Sequence, residues 1–137
     1  MIGIVIVTHG QLGKALIDTS ELILNTRPRS VVSVSINLEV NVDKLREKIT
    51  EGIKKVDTKD GLLILTDMFG GTPSNLSYSF LEEGRVEVIS GVNLPVLIKA
   101  VTDREKMELC KLAERLETYG KKSISSASGI LKGNKRS

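Results

Sequence analysis

The run Ile2-Gly3-Ile4-Val5-Ile6-Val7-Thr8 constrains this chain more than any other segment. β-Branched residues dominate it, and apolar side chains occupy odd and even positions alike. A strand built from it must be covered on both faces. Three more strand-like runs follow: Val31–Ile36, Leu62–Asp67 and Val86–Ser90. Between them the apolar spacing changes to a helical period. Leu12, Ala15, Leu16, Thr19, Leu22 and Ile23 predict the buried stripe of a first helix that ends at Thr26-Arg27-Pro28. Val42, Leu45, Ile49, Ile53 and Val56 predict the stripe of a second. A short helix is expected from Pro73 toward Gly84, and another from Pro95 through Val101. Thr102-Asp103-Arg104-Glu105 reads as a capping box that restarts a helix running to Gly120. Ser123-Ile124-Ser125 reads as a short final strand at the sheet edge.

Strands alternating with helices give βαβ units, hence an α/β fold with a doubly wound parallel sheet and helices on both faces. In such sheets chemistry sits beyond the carboxyl ends of the strands, where strand order reverses. The residues placed there are Thr8-His9-Gly10, Asn37-Leu38, Asp67 through Thr72, and Ser90 through Asn93. If the first strand lies beside the third, His9 and Asp67 face each other.

His9 is the only histidine. A neutral imidazole has a free lone pair near neutral pH, and a carboxylate on its other nitrogen fixes the tautomer and stabilises positive charge during attack. Asp67 fits that second role, although an aspartate before Gly70-Gly71 also suits a turn. Gly10 leaves room for a bulky group beside the ring. Gly70-Gly71-Thr72-Pro73-Ser74 allows close backbone approach, with Thr72 as a helix cap and Pro73 at the first helical position, a combination suited to an anion. The phosphate-side candidates are therefore Gly10, Gly70, Gly71, Thr72 and Ser74.

Several function classes drop out. There is no P-loop lysine motif and no G-x-S-x-G elbow. A single cysteine and a single histidine leave no transition-metal cluster, so no metal and no cofactor are expected. Cys110, in a leucine-rich helical pattern, reads as a buried packing residue. Net charge is only +3 and aromatics are 3%, with no stacking platform, which argues against nucleic acid. The apolar runs are too short to span a bilayer and the N-terminus does not read as a signal, so a cytoplasmic location is expected.

Three segments together resemble a known family: Ile4-Val5-Ile6-Val7-Thr8-His9-Gly10, Thr66-Asp67-Met68-Phe69-Gly70-Gly71-Thr72-Pro73-Ser74-Asn75, and Ile89-Ser90-Gly91-Val92-Asn93-Leu94-Pro95. Over roughly residues 1–120 the chain is similar to the enzyme IIA domain of the mannose-type family of the bacterial sugar phosphotransferase system. That resemblance implies a phosphohistidine carrier, accepting phosphate from the phosphocarrier protein HPr at Nε2 of His9 and passing it to a IIB component. It implies that Asp67 holds the other ring nitrogen and that Gly70–Ser74 lies on the phosphate side. It also implies four parallel strands plus a short antiparallel edge strand, Ser123–Ser125, exchanged in a homodimer, with membrane contact only through IIC and IID components. The domain is expected over 1–125, with 126–137 as a partly flexible basic tail. The loop Asn37-Leu38-Glu39-Val40-Asn41 departs from the family's usual glycine and acidic residues. A regulatory phospho-switch without sugar transport is the alternative, and a flavodoxin-like binder is disfavoured by the short loop after the first strand.

Overall fold

A computed structural model describes residues 1–37 and 41–133. Its elements run β1 (Gly3–His9), α1 (Leu12–Leu24), β2 (Val31–Ile36), α2 (Val42–Lys54), β3 (Leu62–Thr66), α3 (Thr72–Tyr78), β4 (Val86–Ser90), α4 (Leu94–Asp103), α5 (Leu109–Lys122) and α6 (Ala127–Leu131). The strands form one sheet in the order β2-β1-β3-β4, all parallel. β1 is therefore central, which is why its sequence tolerates no polar face.

The two-residue period of β1 divides its side chains between two cores. Ile2, Ile4 and Ile6 pack with Ile17 of α1, Leu97 of α4 and Leu112 and Leu116 of α5. Val5 and Val7 pack with Leu45 and Ile49 of α2 and Leu76 of α3. Each fully buried aliphatic side chain contributes on the order of 1.5–3 kcal/mol, so the doubly covered strand anchors the fold.

The structure corrects several expectations. Val42 is 54% exposed and lies off the buried face of α2, which is Leu45, Ile49 and Gly52. The helix expected from Pro73 toward Gly84 ends at Tyr78. The face that α1 buries is Gly13, Ile17 and Ser20, while Leu12, Leu22 and Ile23 are exposed. Small residues at 13 and 20 let the helix lie close on the sheet: a Cβ on Gly13 would come within 3.2 Å of Ile6 Cγ2 and Ser33 Cβ. The capping box does not form. Thr102 lies inside α4 with its hydroxyl on the Lys99 carbonyl, and α5 starts only after Glu108. Ser123–Ser125 is not a strand among the described residues. Ser123 closes α5, its hydroxyl donating to the Gly120 carbonyl at 2.8 Å, and Ser126 caps α6 through the Gly129 N–H. Cys110 is exposed, because Leu109, Leu112 and Leu116 take the buried face of α5. Residues 38–40 of the departing loop, and 134–137 of the tail, lie outside the described residues.

Arg104 caps the end of α4 and is buried, yet donates only to carbonyls: Ile2 O at 3.2 Å, Ser30 O at 3.3 Å, and Arg29 O. It ties α4 to the starts of β1 and β2. Arg104→Met should remove this donor from the Ile2 and Arg29 carbonyls, while Ser30 O keeps the Ile4 N–H at 3.0 Å, and cost about 2–4 kcal/mol, since hydrogen bonds from a charged group are worth that much. Thermal unfolding would fall by several degrees, and an unchanged Tm would show the tie to be dispensable.

Candidate active site

Register places the two candidate residues side by side. Val7 pairs with Thr66 between β1 and β3, so Asp67, one position beyond β3, comes level with the Thr8–His9 step. His9 ends the central strand and Gly10 follows in a left-handed turn (φ 53°), releasing the chain toward α1. Three contacts hold that turn. The Gly10 N–H donates to the Ile36 carbonyl at 3.3 Å, the Ser35 hydroxyl donates to the Gly10 carbonyl, and the Gly13 N–H donates to Thr8 Oγ1 at 2.9 Å. The last supplies a cap that Gln11, at the formal cap position of α1, does not provide.

Asp67 Oδ2 lies 2.8 Å from His9 Nδ1 and accepts the His9 backbone N–H at 2.9 Å. Its other oxygen accepts the Met68 N–H at 2.9 Å. The carboxylate is nearly enclosed (11% exposed) whereas the imidazole is 38% exposed. Burial pushes the Asp67 carboxyl upward, but the His9 N–H, the His9 ring and the Met68 N–H together outweigh it and hold the group below its ordinary value. An ionised Asp67 is acceptor-only, so the proton of a neutral His9 ring resides on Nδ1 and the lone pair is left on Nε2.

The glycine-rich loop closes over the ring. A side chain on Gly71 would put its Cβ 3.2 Å from His9 Cε1, so the bare position lets the loop lie close against the imidazole, which would otherwise have to shift by a few tenths of an ångström. Gly71 is the N-cap of α3, one residue ahead of the expected Thr72, and Thr72 opens the helix. Ser74 is fully buried. Its hydroxyl donates to the Gly71 carbonyl at 3.0 Å and accepts the Gly70 N–H at 3.1 Å, stapling the loop. At the neighbouring strand ends, Thr66 Oγ1 donates to Ser90 Oγ at 2.9 Å, and Tyr78 Oη lies 3.2 Å from the same oxygen.

The structure thus brings His9, Asp67, Gly10 and the Gly70–Ser74 loop to one end of the sheet. Thr8, Ser35 and the Met68 N–H support them. Only Thr8, a hydroxyl residue just ahead of a helix start, carries a sequence signal for that role. Among the described residues, no group of three or more His, Cys, Asp or Glu side chains is arranged to hold a metal ion. An imidazole held this way through Nδ1 leaves Nε2 as its nucleophilic nitrogen.

A family model described as the PTS system fructose IIA component, EIIA-man, matches residues 3–117. The chain belongs to this family. EIIA components are phosphotransferases with a phosphohistidine intermediate, accepting phosphate from HPr and passing it on. The chain is 31% identical over 125 residues to the fructose-specific EIIA component of Bacillus subtilis, covering 90% of this chain and 85% of that protein. It is 35% identical over 105 residues to the mannose-specific EIIAB component of Escherichia coli K12, covering 76% of this chain but only 32% of that longer protein. The crystal structure of an EIIA phosphotransferase component from Streptococcus agalactiae superposes with a TM-score of 0.82 at 29% identity, covering 93% of this chain and 98% of that one. Among the described residues of this EIIA component, no helix is long and apolar enough to cross a membrane.

Proposed function

We propose that His9 carries the phosphoryl group on Nε2 in a relay from HPr to a IIB component, with Asp67 as its partner on Nδ1. The observation that carries this reading is the 2.8 Å contact between His9 Nδ1 and Asp67 Oδ2. In the accepting step the Nε2 lone pair forms a bond to phosphorus as the bond from the donor's histidine breaks, and the donor ring keeps that electron pair. Positive charge grows on His9 and is met by the adjacent carboxylate. Catalysis is mainly positioning and charge stabilisation. Gly10 and Gly71 leave space beside the ring, while Gly70, Thr72 and the loop stapled by Ser74 border the phosphate. Transfer onward is the same step in reverse, to a histidine on IIB.

The protein acts in the cytoplasm and meets the membrane through IIC and IID components. It pairs as a homodimer, in which Ser123–Ser125, not a strand in the single chain, adds antiparallel to the partner's β4. That strand is a sheet edge, and beside it a groove of about 710 Å³ runs between β4 and α5.

Incubation with phosphoenolpyruvate, enzyme I and HPr tests the relay. One phosphate per chain, labile in acid and stable in alkali, is expected. Absence of label, or alkali-labile label, would overturn it.

A further inference from the structure

Opposite charges are interleaved on the helices α1 and α2. On and just after α1, Lys14 and Arg27 are paired with Asp18 and Glu21. On α2, Asp43, Glu47 and Glu51 alternate with Lys44, Arg46, Lys48 and Lys54. The outer side of α4 and α5 is different. Val96, Leu97 and Ala100 of α4 and Leu109, Leu112 and Leu116 of α5 turn into the core. Away from that core lies an open groove of about 690 Å³, lined by Lys99, Lys106, Lys111, Arg115 and Lys122. Glu114 is the acid among its lining residues.

Behind the groove Asp103, 5% exposed, gathers three of these cations. Lys99 Nζ lies 3.5 Å and Arg115 Nη1 3.7 Å from its Oδ2, and Lys106 Nζ lies 3.6 Å from its Oδ1. One carboxylate cannot neutralise three cations. Counting Asp103 and Glu114 against the five basic side chains, this face holds a surplus of +3, which is the net charge of the whole chain. The other fifteen basic and fifteen acidic side chains cancel. Glu105 and Glu108 line a second hollow with Met1 and Asp60, which Lys106 also borders, and Glu117 is paired with Lys121 at 3.5 Å. The groove offers little apolar surface. Its aromatic ring, Tyr119, is 38% exposed and has Lys99 Nζ 5.1 Å from its centroid.

We propose that this basic face rests on the anionic surface of a lipid bilayer. The choice of a membrane over other polyanions rests on the reading that the protein works there with IIC and IID components. Clusters of Lys and Arg are drawn to the negative potential of the cytoplasmic leaflet. The surface is extended and open, since α5 alone has 14 residues and is about 21 Å long. His9 ends β1 at the carboxyl edge of the sheet, whereas the groove is on the outside of a helix layer, so a bilayer against the groove leaves His9 open at the side. Attachment by charge alone is weak and reversible. Added to a protein contact in the membrane it holds the carrier near its recipient, because two weak signals anchor where one does not.

Co-sedimentation of the full chain with vesicles, without IIC or IID, tests this. Wild type should bind vesicles with about 30% phosphatidylglycerol at about 0.05 M salt, and ignore phosphatidylcholine alone. Raising salt to about 0.3 M should release most of it, since screening acts on charge. Lys106→Gln combined with Lys111→Gln should weaken partitioning about tenfold or more, because each basic side chain near such a surface strengthens binding about fivefold. Asp103 keeps Lys99 and Arg115 in that variant, and circular dichroism checks its fold. Lys48→Gln combined with Lys54→Gln makes the same change in net charge on α2 and should leave partitioning within about twofold. No binding to anionic vesicles, equal binding to neutral ones, or equal weakening in the two double variants would overturn the surface. Undiminished binding in the Lys106 and Lys111 variant would also overturn it, by giving the lipid contact to the basic tail. So would pyrophosphate raising wild-type Tm while vesicles fail to bind, which would give the groove to a soluble phosphate compound. The relay is measured separately. If wild type binds vesicles but takes no label, the relay reading falls and the lipid contact stands on its own measurement. If it labels normally but ignores vesicles, only the lipid contact falls.

Discussion

His9→Ala should remain folded and take up no acid-labile phosphate. The chain has no second histidine, so no other imidazole can substitute within it. The fold should tolerate the change because β1 is secured by its aliphatic side chains and by pairing on both edges, upstream of position 9. The residue also ends the strand and is partly exposed. Asp67 loses its ring partner but keeps the backbone N–H of position 9 and that of Met68, so the carboxylate is not stranded. The measurement is label retained after alkaline and acid quenching, alongside the circular dichroism spectrum and Tm. Residual label at wild-type stoichiometry would place the phosphoryl group on another side chain. An unfolded variant would move the question to His9→Asn, which restores a side-chain donor toward Asp67.

Much of this site is legible in the residue pattern alone. β2 and β4 fall where their apolar runs fall, and β1 and β3 within one residue at each end. The parallel order with β1 beside β3 then brings His9 and Asp67 together by register alone. What the pattern hides concerns small and polar residues whose roles depend on three-dimensional neighbours. Gly13 and Ser20 form the contact face of α1 because closeness to the sheet, not side-chain size, decides the packing there, and the Ser20 hydroxyl is satisfied within the helix by the Ile17 carbonyl at 2.7 Å. An apolar-spacing rule weighs Leu12, Leu22 and Ile23 more heavily and so selects the wrong face.

Ser74 shows the same limit at the site. Its residue type suggests a phosphate contact, yet its hydroxyl is engaged at both ends by the loop that it follows in the chain. Arg104 reads as part of a capping box that starts a helix; it closes α4 and is a buried tie between distant carbonyls, a role set by contacts 74 to 102 residues away in sequence. The expected edge strand gives way to helix ends at Ser123 and Ser126, where local hydroxyl-to-backbone bonds compete successfully with sheet pairing in the single chain.

Asp67→Asn should fold normally and slow phosphoryl transfer by about 100-fold or more. Removing an oriented carboxylate behind a reactive imidazole costs on this scale, because two effects act together. The amide carries no charge to meet the positive charge developing on His9. Its NH₂ can also donate to Nδ1, which moves the ring proton to Nε2 and removes the lone pair needed for attack. The deficit should fall on the transfer rate at saturating phospho-HPr. Its pH dependence is a further check. The folded Asp67 carboxyl lies below its ordinary value, so the stabilisation from its contacts is fully present above the unfolded value of about 4 and is lost as pH falls through the lower folded one. The stability advantage of wild type over Asp67→Asn should therefore be present at neutral pH and be lost in strong acid. A transfer rate equal to wild type would reduce Asp67 to a turn residue that happens to touch the ring, and a stability advantage undiminished in strong acid would show that its carboxyl is not held ionised by these contacts.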